Sequence, residues 1–181
     1  MKKVCVVMLA MLILATAAFA QGRNDQGRTD QGRNDEVVRW KTIVGVITAQ
    51  GVLNPVSQNI TSGTFGWSTV SGRAHVNLAT GKAAFDVEGL VINGTSFSGT
   101  AGPITSVTGT LVCSAGTDQE FTLDTPPVTL SLAGNARFSG QLANGPTACE
   151  NPLFLIRIFA PQVAQGRWIA TGAQRIFGED N

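Results

Sequence analysis

The chain predicts an all-β fold: a single β-sandwich or small barrel of about nine or ten short, mainly antiparallel strands with one disulfide. Three observations predict it. Apolar residues recur at alternate positions through residues 104–142: Val107, Leu111 and Cys113, then Phe121 and Leu123, then Val128, Leu130 and Leu132, then Ala136, Phe138 and Leu142. Turn formers separate these runs, as Gly116-Thr117-Asp118, Pro126-Pro127 and Ala133-Gly134-Asn135. No segment of the folded part shows a convincing amphipathic helix of about ten residues. Alternation puts successive side chains on opposite faces of a strand, so the four runs predict a meander with one buried face.

The first residues are a separate matter. Lys2 and Lys3 precede an apolar run from Val4 to Thr16, which ends in Ala18-Phe19-Ala20. A basic start, an apolar stretch and small residues at that spacing read as a secretory signal, residues 1–20, cut after Ala20. An uncleaved anchor is the rival reading, because the run approaches the length of a membrane span. The A-x-A ending favours cleavage, and no later segment would span a membrane as a helix. Cys5 precedes the apolar run, whereas a lipid-bearing cysteine follows it, so Cys5 leaves with the signal. The expected location is exported: periplasmic, cell-surface or extracellular.

Charge narrows the partners. Of 13 Lys and Arg residues, Lys2 and Lys3 leave with the signal, and the rest nearly balance the 12 acidic ones. Near-neutrality argues against an electrostatic nucleic-acid binder. Two cysteines remain, and in an oxidising compartment they most simply join as Cys113–Cys149. Closing that loop restricts the unfolded chain by roughly 3 to 4 kcal/mol. Two buried thiols are the alternative; metal binding by this pair is weaker, since the single histidine, His75, lies far away in sequence.

Residues 21–36 contain three copies of one pentapeptide, Gln-Gly-Arg-Asn/Thr-Asp, starting at Gln21, Gln26 and Gln31. None of these residues helps to build a core, so the segment reads as a disordered spacer, with a charged tether as the functional alternative. The all-β domain spans 37–177, and residues 178–181 form a frayed tail.

Within the domain, Val38, Trp40, Thr42, Val44 and Val46 are expected on one side of the first strand, with Arg39 and Lys41 opposite. Residues 51–66 are rich in breakers, though Phe65 and Trp67 suit a short strand. Ala74, Val76 and Leu78, then Thr80-Gly81, then Phe85 and Val87 make the clearest hairpin. Its alternation sends Arg73, His75, Asn77, Asp86 and Glu88 outward. Asn93-Gly94 predicts a tight turn from which Thr95–Thr100 pairs back. Leu153–Phe159 is apolar except for Arg157 and reads as a buried strand, and Arg167–Thr171 as the last one. A buried Arg157 requires a carboxylate such as Asp124 or Glu150.

Groups that carry chemistry are few. His75 beside Asp86 or Glu88 is a candidate general base, against the plainer reading of a solvated strand residue. Asp86 with Glu88, and Asp118, Glu120 and Asp124, form carboxylate sets that suit a cation or a glycosidic bond, or simply keep a strand soluble. Serines lack the G-x-S-x-G elbow, and no glycine-rich phosphate loop opens a helix. Trp40, Trp67 and Trp168 with Phe65 offer an aromatic platform or, more plainly, core packing. Asn59-Ile60-Thr61 and Asn93-Gly94-Thr95 match the glycosylation triplet. The expectation is an exported, non-enzymatic β domain that binds or serves structurally, with no catalytic residues, metal or cofactor assigned. The binding candidates are Arg73, His75, Asp86, Glu88 and Trp67, facing a protein, glycan or small-ligand partner. The alternatives are a secreted hydrolase using acidic residues with His75, and a carrier of a small apolar ligand.

Overall fold

The computed structural model describes residues 37–145, 148–159 and 166–178. The segments expected to be a signal and a spacer, and the expected tail apart from Gly178, lie outside the described residues. The described chain is all-β, with β1 (Val37–Gly45), β2 (Trp67–Ser68), β3 (Ser71–Asn77), β4 (Lys82–Glu88), β5 (Val91–Ile92), β6 (Ser106–Cys113), β7 (Phe121–Asp124), β8 (Val128–Thr129), β9 (Ala136–Gln141), β10 (Leu153–Ile158) and β11 (Trp168–Phe177). Nine strands form one antiparallel sheet in the order β7-β6-β10-β11-β1-β3-β4-β9, with β8 also on β6. β2 and β5 make a small second sheet.

The large sheet curls into a half-barrel, and this curl gives the inward side chains a common interior. Trp40 and Phe154 stand 5.5 Å apart, Phe85 and Phe154 5.7 Å, and Phe85 and Phe138 6.1 Å between ring centroids. The edges approach where the Ala143 N–H donates to the Asp124 carbonyl at 3.0 Å. Cys113 at the end of β6 is joined to Cys149, which fastens the lead-in of β10 beside its partner strand.

The β3–β4 hairpin has the expected phase: Ala74, Val76, Phe85 and Val87 are buried, while Arg73, His75 and Glu88 are exposed. Gly81 turns it with a φ of 71°, a conformation easy only for glycine.

Other expectations change. Residues 104–142 do not close a meander, because β9 pairs with β4, bringing Phe138 opposite Phe85. Pro126-Pro127 does not reverse the chain: β7 and β8 are successive parts of one run along β6. Proline lacks the N–H that a ladder needs, so the pair interrupts the strand, and Thr125 and Leu130 resume bonding to Gly109 and Thr105 on either side. Thr95–Thr100 folds into turns, closed by Gly99 N–H to Ile92 O at 3.0 Å, and β5 pairs with β2 instead. In β1 the inward phase slips after Trp40: Ile43 is 1% exposed and Val44 39%. The break falls at Lys41, the position missing from the β1–β11 ladder opposite Gln174, whose φ is 52°. The last strand is also longer than expected, running to Phe177.

Candidate functional site

The alternation of β1, β3, β4 and β9 carries four expected site residues to one outer face. Across the strands Arg39 stands opposite His75, His75 opposite Ala84, and Ala84 opposite Ser139. In the neighbouring row Arg73 stands opposite Asp86, and Asp86 opposite Arg137. The surface holds wide, open depressions, one of about 220 Å³ over Ala84.

The hydrogen bonds on this face do not form an acid–base pair. Asp86 accepts from Arg137 Nε at 3.0 Å and also from its Nη2. Glu88 accepts from the Ser71 hydroxyl at 3.0 Å. His75 has no hydrogen-bond partner among the described residues, so neither carboxylate orients it. Its imidazole is held below its usual pKa, first by the partial burial of the ring and then by Arg39 and Arg73. That ring is a weak base among positive charges. The hydrolase arrangement of His75 with Asp86 or Glu88 therefore lacks its connecting bond.

Of the other carboxylate set, Glu120 and Asp124 are tied into the structure. Glu120 accepts from Ser57 Oγ at 2.8 Å and from the Gly116 N–H at 2.7 Å. Asp124 accepts from Thr110 Oγ1 at 2.5 Å and faces Arg157 Nη1 at 3.8 Å. Asp124, of the two expected carboxylates, is thus the one beside Arg157, whose Nε donates to Gly166 O at 2.7 Å.

Trp67 lies elsewhere. It is 4% exposed, and Trp40 and Trp168 are buried too, so the three tryptophans form no exposed platform. Trp67 instead lines a half-enclosed cavity of about 350 Å³. Buried Trp67, Ile92, Ile104 and Ile158 make its floor, Phe65 and Phe97 its aromatic walls. Gln50, Thr64 and Ser96 stand at its rim. Their side-chain polar atoms have no protein partner among the described residues, and neither has the Trp67 indole N–H.

Local chemistry builds this cavity. At the end of β1, a Cβ on Gly45 would come within 2.3 Å of the Trp67 carbonyl, so only glycine lets β2 approach. The Trp67 N–H donates to Val46 O at 2.8 Å, and the Asn93 N–H to Gly66 O at 2.8 Å, which fixes β2 beside the turn after β5. Within that turn the Phe97 N–H donates to Thr95 Oγ1 at 3.0 Å, and the Phe97 carbonyl accepts from Thr100 Oγ1 at 2.8 Å. These bonds hold Phe97 49% exposed at the opening. Sequence reasoning placed Phe97 in a pairing strand and passed over Ile104 and Ile158 as core. The signal present was an aromatic residue between Gly94 and Gly99 in a turn-rich segment.

The chain matches no protein-family model, and comparisons with curated proteins and with solved structures give no significant match. Among the described residues no cluster of three or more His, Cys, Asp or Glu suits a metal ion, and no helix is long and apolar enough to cross a membrane.

Proposed function

We propose that this is an exported, non-catalytic binding domain that takes a small, largely apolar ligand in the cavity beside Trp67. On this reading the N-terminal signal directs export, the pentapeptide spacer holds the domain away from its surroundings, and the disulfide stabilises it outside the cytoplasm. The observation that carries the proposal is the cavity itself: an apolar floor, two phenylalanine walls and a few unpaired polar groups at the rim. Ligand sites combine these features, the apolar surface giving affinity and the polar groups orientation. The volume of about 350 Å³ suits a molecule of one or two rings or a short aliphatic chain. The aromatic interior of the half-barrel is filled by Trp40, Phe85, Phe138 and Phe154, so the ligand would sit at this cavity and not within the curl.

The test is titration of the protein with the apolar fluorophore N-phenyl-1-naphthylamine. The parent protein is expected to enhance its emission saturably. Phe97→Ala removes about 1.5 kcal/mol of apolar contact, a loss of roughly tenfold in affinity. Ser96→Trp fills the mouth and lowers affinity by a similar factor. Equal binding by all three proteins, or none by the parent, would refute the proposal.

A further inference from the structure

We propose that the outer face of β1, β3, β4 and β9 is a second binding site, for the tetrahedral oxyanion of a phosphate or sulfate ester. Arg73, His75 and Ser139 would hold it above Ala84.

Positive charge gathers on this face. Arg39 stands directly opposite His75, and Arg73 lies two residues from His75 on the same strand. Arg39 and Arg73 thus set two guanidinium groups about one uncharged imidazole, an excess of positive charge that favours a bound anion. The nearby carboxylates do not pair with Arg73. Asp86, though opposite Arg73, is bound by Arg137, and Glu88 by Ser71. Arg73 has neither a hydrogen-bond nor an ion-pair partner among the described residues.

The face is also concave beside these groups. Ala84 ends at its Cβ and leaves a gap between His75 and Ser139, its neighbours on either side. The resulting depression of about 220 Å³ is several times the volume share of one water, about 30 Å³. An arginine fork offers two parallel N–H donors to such an oxyanion, and the Ser139 hydroxyl offers a third. Arg39 on β1 and Arg73 on β3 set positive charge about the imidazole, while Arg137 on β9 and Asp86 on β4 pair with each other in the neighbouring row. A bound anion would offset the two arginines that disfavour protonation of His75, and the imidazolium would add a further charged donor.

The protein contains a single histidine, so its ring Cε1 proton reports this face alone. The experiment is an NMR pH titration of that signal with chloride replaced by inorganic sulfate or by inorganic phosphate at constant ionic strength. The titration midpoint is expected to rise saturably with the oxyanion. Arg73→Ala should weaken the response at least about tenfold, and Arg73→Lys should retain part of it, because lysine keeps the charge but loses the fork. A response to phosphate alone assigns a phosphate ester, and to sulfate alone a sulfate ester; either supports the site. A midpoint set by ionic strength alone, or an undiminished response in Arg73→Ala, would overturn it.

Discussion

Gly109 on β6 lies against the ring of Phe85 on β4, although the two strands are not neighbours in the sheet. A Cβ on Gly109 would stand 2.8 Å from Phe85 Cδ1 and 2.9 Å from Phe154 Cζ. The curl of the sheet brings β6 and β4 face to face, and the missing side chain makes room for two rings. Gly109→Ala is expected to lower stability by about 1–3 kcal/mol, since overpacking here meets rigid aromatic atoms. Chemical denaturation of parent and variant checks this, and an unchanged midpoint would show that the rings move aside freely.

The bond between Cys113 and Cys149 closes a sequence separation of 36 residues that includes β7, β8 and β9. Replacing both cysteines by serine should lower stability by about 2–4 kcal/mol. The reading is the shift of the urea midpoint, alongside a nonreducing mass measurement that finds no free thiol in the parent.

Thr108 is 6% exposed, and its Oγ1 has no partner among the described residues. An unpaired buried hydroxyl carries a desolvation cost with no bond in return. Thr108→Val keeps the shape and removes that oxygen. It should leave stability unchanged or raise it by up to about 1 kcal/mol, whereas a clear loss in thermal melting would reveal a partner for the hydroxyl.

His75 is held below the usual histidine pKa, so the unfolded chain binds its proton more readily than the folded one. Its effect on stability is therefore absent well above about pH 6.5 and grows unfavourable as pH falls through that value toward the folded pKa. His75→Gln should match the parent near pH 8 and become the more stable of the two under mild acid. Stability curves for both proteins across this range measure the difference, and curves that stay parallel would contradict the assignment.

Alternation made much of the fold legible. The β3–β4 hairpin could be phased because Val76 and Phe85 alternate with charged residues around a glycine turn. The disulfide followed from having two cysteines in the domain. Alternation does not name a strand's partner, however, which is why β9 was assigned to a meander when it joins β4. It also cannot register a slip such as the one at Lys41, which arises opposite a left-handed residue, Gln174, far away in sequence.

The candidate sites divide in the same way. Arg73, His75, Asp86 and Glu88 lie on one hairpin, so their shared face was readable; that Asp86 turns to Arg137 depended on a distant strand. The cavity was harder still. Phe65 and Trp67, Phe97, Ile104 and Ile158 come from different parts of the chain, and an apolar residue lining a cavity looks in sequence like any core residue.

The central claim is that an apolar ligand enters beside Trp67. The most direct measurement is amide chemical-shift mapping of the protein as N-phenyl-1-naphthylamine is added. The account predicts that the affected amides cluster at Thr64, Phe65, Ile92, Ser96, Phe97 and Ile104. Perturbations confined to the Arg73–His75 face, or scattered over the surface without saturation, would contradict it.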